Sequence, residues 1–105
     1  AGTLDYSPEV LVVGGGAREI FVAAPYPNPF NPITTMRLAV ARAQHVRADV
    51  FDATGRRVAT LIDEDFPADV TRTIEFDGSN LAPGLYLIRI DGDHIRRTEK
   101  VLLVK

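Results

Sequence analysis

The sequence predicts an all-β fold, an antiparallel β-sandwich of immunoglobulin-like architecture with about seven strands. Three observations carry that prediction. From Arg18 onward, short runs alternate apolar with polar residues, the period of half-buried strands. Turn-forming residues interrupt these runs roughly every 8–12 residues. No i, i+3, i+4, i+7 stripe lasts longer than a turn, so no amphipathic helix is expected. With 105 residues, 46% of them hydrophobic, the chain is one domain's worth of sequence and too apolar to be disordered.

Residues 1–17 read as a lead-in from a preceding domain, and residues 18–105 as the sandwich. Within the lead-in, Glu9 to Val13 (EVLVV) could form a short strand, which Gly14, Gly15 and Gly16 then break. Three glycines make a hinge of high conformational entropy. A phosphate-cradling loop is the sharper alternative, but no GxxxxGK motif is present and no helix pattern follows. The opening AGTLDYSPEV has no initiator Met, which suits a mature product or an excised domain of something longer.

REIFVA should form the first strand of the sandwich. TTMRLAVA (Thr34 to Ala41) places Met36, Leu38 and Val40 on one face, and HVRADVFD (His45 to Asp52) does the same with Val46, Ala48 and Val50. DATGR is a turn in which Gly55 suits a positive φ. RVATLI (Arg57 to Ile62) follows, and DEDFPAD is expected to be a polar loop. VTRTIEFD (Val70 to Asp77) aligns Val70, Arg72, Ile74 and Phe76. DGSNLAPG is dense in turn formers. The last pair, LYLIRID and HIRRTEKVLLVK, surrounds Asp91-Gly92-Asp93, a hairpin signal.

The segment APYPNPFNP puts four prolines into the eight residues from Pro25 to Pro32. Each proline fixes φ and lacks an N–H, and each pushes its predecessor towards extended backbone. The segment is therefore neither a helix nor a central strand. Asn28 and Asn31 can satisfy backbone groups left unpaired there. Tyr26 and Phe30 are expected to anchor it in the end of the sandwich. The reading is a stiff, non-pairing lid over a sheet edge. A ligand for a proline-binding groove is the alternative.

Little in the sequence points to catalysis. The net charge of −2 supplies no basic stripe for nucleic acid or an anionic membrane. There is no cysteine, and no apolar run approaches the about 20 residues of a membrane span. No basic-then-apolar signal peptide opens the chain. His45 and His94 each begin an expected strand without a carboxylate at ligand spacing, so neither is expected to bind metal. Asp63-Glu64-Asp65 lacks the alternation of a calcium loop, and a tight turn explains Asp91 and Asp93; a calcium ion at these oxygen-rich loops stays open. Ser7 and Ser79, the only serines, sit in the lead-in and in a turn. No catalytic residue, cofactor or resident metal is expected.

The order of four motifs is more specific. YPNPFNP (Tyr26, Pro27, Asn28, Pro29, Phe30, Asn31, Pro32) is followed by a V-x-V/L-F/Y-D-x-x-G-R-x-V stretch containing Asp52, Gly55 and Arg56. Then come a G-x-Y at Gly84 and Tyr86 and a lysine-flanked apolar KVLLVK. From about residue 22 to 105 the chain resembles the C-terminal sorting domain of type IX secretion substrates, type A. The resemblance implies a non-catalytic signal fused behind a cargo protein and read in the periplasm by an outer-membrane translocon and its shuttle proteins. A sortase-like surface peptidase would then remove it, leaving the cargo attached to the cell surface or released. On the same resemblance Lys100, Val101, Leu102, Leu103, Val104 and Lys105 form the recognition tail, and the cut falls near Gly14 to Gly16. Two rivals share parts of the pattern: the immunoglobulin-like domain of flagellar hook-capping proteins, and a carbohydrate-binding or adhesion module of a surface enzyme. The second needs a row of exposed aromatics, and the sequence supplies few.

Overall fold

A computed structural model describes residues 20–105. The lead-in, its glycine hinge and the boundary at residue 18 lie outside the described residues. Seven antiparallel strands form two sheets with no helix among the described residues, an immunoglobulin-like sandwich as expected. They are β1 (Ile20–Val22), β2 (Ile33–Val40), β3 (Gln44–Asp52), β4 (Arg57–Phe66), β5 (Arg72–Asp77), β6 (Gly84–Asp91) and β7 (Arg96–Leu103). One sheet runs β1-β2-β5 and the other β4-β3-β6-β7.

The core lies where the alternation predicts. Met36, Leu38 and Val40 of β2 face Val46, Ala48 and Val50 of β3, and all six are buried. Ile74, Phe76, Tyr86, Ile88, Ile90, Val101 and Leu103 complete the inner layer. Phe76 is the hub of its aromatic part, 5.3 Å from the Phe30 ring and edge-on to Tyr86 at 6.0 Å.

Three expectations need correction. DEDF is strand, not loop: β4 continues to Phe66, which is 1% exposed, because Asp63, Glu64 and Asp65 pair with Arg47, Val46 and His45 of β3. Val70 lies outside β5 and is 43% exposed, so the inward alternation of that strand is carried by Ile74 and Phe76 alone. The last hairpin turns over residues 92–95, closed by the Gly92 N–H donating to the Ile95 carbonyl at 2.9 Å, and β7 starts at Arg96 rather than His94.

β4 alternates poorly because its register slips twice against β3, skipping Leu61 and Val58. Both extra residues are half-buried against the core. Bulges of this kind twist an edge strand and blunt it against further pairing.

Candidate functional site

The proline segment joins β1 to β2 within the three-stranded sheet by an excursion that reaches β7 of the other sheet. At its start the Ala23 N–H donates to Arg37 of β2, and Tyr26 exchanges backbone bonds with Thr35. The Thr34 hydroxyl, 1% exposed, donates to the Pro27 carbonyl at 2.8 Å. At its end the segment lies against β7. The Phe30 N–H donates to the Leu102 carbonyl at 2.8 Å, and the Val104 N–H donates to the Phe30 carbonyl at 2.9 Å.

Between these bonds Asn28 acts as a substitute peptide. Its Nδ2 donates to the Lys100 carbonyl at 2.9 Å, and its Oδ1 accepts from the Leu102 N–H at 3.0 Å. A carboxamide carries one donor group and one acceptor in the same arrangement as a backbone amide, so it can continue a ladder where proline has removed the N–H. The segment is thus a clasp on β7, not a non-pairing lid. Phe30 is its anchor, 1% exposed, whereas Tyr26 is 79% exposed and anchors nothing. Asn31 is exposed and Pro32 half-buried; the Pro32 carbonyl accepts from the Gly78 N–H at 2.7 Å. The peptide bonds preceding Pro27, Pro29 and Pro32 are cis.

The remaining motif residues are turn and corner devices. Asp52 Oδ1 accepts from the Thr54 hydroxyl at 2.6 Å and from the Thr54 and Arg56 N–H groups, both at 3.0 Å. These bonds, the Thr54 hydroxyl foremost, hold its carboxyl below the usual carboxylate range. Gly55 between them has φ +91°, a region that disfavours side chains. Gly84, φ +149°, starts β6, and two residues on the Tyr86 hydroxyl donates back to the Ala82 carbonyl at 2.6 Å. A buried tyrosine returning its hydroxyl to backbone a few residues upstream is the corner that locks one end of immunoglobulin-like sandwiches. Asp77 closes the facing turn by accepting from the Ser79 hydroxyl and N–H, which lower its pKa in that order.

The tail splits by alternation. Val101 and Leu103 are core residues at 1% exposure, whereas Leu102 and Val104 are each 40% exposed. Lys105 Nζ donates to the Ser79 carbonyl at 3.1 Å. On the outer face of the four-stranded sheet, Leu85 stands opposite Leu102, and Phe51 and Leu87 share a row with Lys100.

Further along the same face the sheet carries an ion lattice that the sequence did not disclose. Asp49 is 2% exposed and accepts from Arg47 Nε at 2.9 Å and the Thr60 hydroxyl at 2.7 Å. Burial raises its pKa, but these donors outweigh burial and the carboxyl ends up lowered. His45 sits between Asp63 at 2.5 Å and Asp65 at 2.8 Å, and Arg47 also reaches Asp63. Hydrogen bonds to Asp63 and then Asp65 raise the imidazole pKa. These partners lie 18 and 20 residues from His45, across the β3–β4 pairing, so spacing along the chain could not reveal them. Among the described residues no group of three or more His, Cys, Asp or Glu side chains is placed to hold a metal ion.

Fold, clasp and corner define an immunoglobulin-like sandwich closed by its own terminal strand. Residues 24–105 match the model of the secretion system C-terminal sorting domain. The chain belongs to that family, and its function is that of a type IX secretion sorting signal, which directs export to the cell surface or beyond. The fold is also that of part of a solved structure, dimeric latent PorU from Porphyromonas gingivalis. The TM-score is 0.63 at 20% identity, covering 85% of this chain and 10% of that one. No curated protein matches the chain.

Proposed function

We infer that this chain is the sorting handle of a longer exported protein. The folded sandwich is read by the outer-membrane translocon and its shuttle proteins in the periplasm. A sortase-like peptidase at the surface then cuts upstream of it and leaves the cargo attached or released. The observation that supports this reading best is the clasp: the YPNPFNP segment and the terminal strand, the two ends of the family match, are bonded to each other as one unit. The cut is assigned to the neighbourhood of Gly14 to Gly16 on sequence alone, since peptidases need an extended, accessible backbone.

A carbohydrate-binding reading finds no support here. Such a site needs several exposed rings, and of the described aromatics only Tyr26 is exposed. The test is export. The full chain is fused behind a signal peptide and a fluorescent protein and expressed in type IX-competent cells and in a translocon-deficient strain. Surface or medium fluorescence in the first and periplasmic retention in the second is the expected pair. Equal retention in both would remove the sorting reading.

A further inference from the structure

We propose that the translocon reads this domain through the apolar end of the outer face of the four-stranded sheet, Leu85, Leu87, Leu102 and Val104 beside Lys100. Its own contact surface is apolar, with a carboxylate set opposite Lys100. The proposal rests on the sorting function inferred above and names the surface that performs it.

The tail has no free outward backbone to offer, which leaves its outer side chains. Strand addition along the recognition tail needs outward backbone groups, and the clasp already uses them. Lys100 O, Leu102 N and Leu102 O, and Val104 N are bonded to Asn28 and Phe30. A docking strand would have to break all four bonds, and each vacated group would need a replacement. Val101 and Leu103 point into the core and are closed to any partner. What the tail shows outside is Leu102, Val104 and the lysines.

The outer face adds the rest. Leu85, 43% exposed, stands directly opposite Leu102, and Leu87 stands opposite Lys100, so three apolar side chains and the lysine are contiguous, with exposed Val104 two residues past Leu102, just beyond the strand. Cross-strand neighbours on one face lie about 5 Å apart, which makes this a patch rather than scattered residues.

The charges of the face divide in a way that selects the partner. The rows holding Leu85–Leu102 and Arg57–Phe51–Leu87–Lys100 contain no carboxylate. Every acidic residue of the outer face belongs to the rows beyond, where Asp49, Asp63, Asp65 and Asp91 are bonded to Arg47, His45, Arg89 and Arg96. That lattice satisfies itself and suits a solvated face. Lys100 makes no ion pair with any described residue, so none of the described carboxylates competes with one on the partner. A buried apolar centre with one complementary charge at the rim is how specific protein surfaces are composed.

The experiment uses the same full-chain reporter in competent cells, with four variants. Leu85→Glu/Leu102→Glu and Lys100→Glu alter the patch, Lys100→Arg conserves its charge, and Thr98→Glu adds an acid on the same face of β7 beyond the patch. The leucine pair should lower export at least about tenfold, as loss of central contacts does. Lys100→Glu should lower it several-fold, while Lys100→Arg and Thr98→Glu export as wild type does. Purified variants are melted to confirm folding. If the leucine pair fails to fold, the exposed Lys100→Glu against Lys100→Arg carries the test.

Wild-type export with undiminished export of both patch variants overturns the proposal. So does leucine-dependent binding of the domain to phosphatidylglycerol vesicles, which would give the patch to a lipid surface, or a dimer that the leucine pair dissolves. Retention of the wild type itself overturns the sorting function, and this inference with it. That result is distinct, because no variant is then needed to see it.

Discussion

The two halves of β7 share one strand and differ in almost everything else. From Lys100 on, the outward backbone is clasped by Asn28 and Phe30, and the inward side chains Val101 and Leu103 are sealed in the core. Before Lys100, Arg96 and Thr98 turn their backbone outward with no described partner strand, and the inward positions hold Arg97 and Glu99, both half-buried. One half is held by packing and bonds on three sides, while the other is protected only by charge, a common treatment of sheet edges. The folded domain does not present the six tail residues as one exposed run. Two are core, two are outer surface, and their backbone belongs to the clasp. Deleting Lys100 to Lys105 therefore removes core side chains and clasp partners together with the tail's outer surface, and point substitutions are needed to separate fold from recognition.

The largest contrast between the halves should come from the clasp anchor. Phe30→Ala, which opens a cavity against Phe76, Leu103 and Gly78, should cost about 3–5 kcal/mol in urea unfolding. Thr98→Ala in the open half should stay within about 0.5 kcal/mol. Equal effects would erase the distinction. Next, Gly78→Ala would set a methyl 2.9 Å from a Leu103 methyl and 3.3 Å from the Phe30 ring, and should cost about 1–3 kcal/mol through overpacking. A neutral result would mean that this end of the core is looser than described.

Asn28 sharpens the comparison further. Asn28→Ala should cost about 0.5–1.5 kcal/mol and speed hydrogen exchange at the Leu102 amide while leaving amides of β3 unchanged. Asn28→Asp keeps the acceptor for Leu102 and loses the donor to Lys100, so it should protect that amide better than alanine does. The smallest effect belongs to His45, on the lattice far from the clasp. Its folded pKa is raised above 6.5 by hydrogen bonds to Asp63 and then Asp65, which outweigh the opposing desolvation, and Arg47 shares Asp63 with it. The stabilisation it provides is full below pH 6.5 and is lost as pH rises through the folded value. The melting difference between wild type and His45→Gln should therefore shrink on going alkaline, with the imidazole titration above 6.5 by NMR. A difference that grows with pH would contradict the assignment.

Much of the fold was legible because period-two patterning records burial directly. Met36, Leu38 and Val40, and Val46, Ala48 and Val50, face inward as the alternation says. The turn at Gly55 was legible for a similar reason, since glycine after Asp-x-Thr has few other uses. What escaped was information carried between strands. Asp63-Glu64-Asp65 reads as loop because acids are poor strand formers, yet His45 and Arg47 across the ladder accommodate two of them. The bulges at Val58 and Leu61 blurred the alternation of β4. Tyr26 and Phe30 look equivalent in sequence, and only their places in the excursion, Tyr26 beside β2 and Phe30 against β7, decide which ring is buried. Family membership was legible from the order of motifs, but the motif residues themselves serve turns, a corner and a clasp. Leu85 is the unspecified middle residue of the G-x-Y motif and Leu102 sits in the tail, and only the register of β6 against β7 shows that the two stand opposite each other.

The central claim is that the sorting signal is the folded sandwich, with the proline segment and the terminal strand read as one unit. The most direct measurement compares export of the full-chain reporter carrying Phe30→Asp, which leaves every tail residue in place but buries a charge in the core, with export of the wild type. The account predicts that Phe30→Asp abolishes export, the reporter remaining periplasmic while the wild type reaches the surface. Export of Phe30→Asp at the wild-type level, with the purified variant shown to be unfolded, would contradict it and make the tail a linear signal.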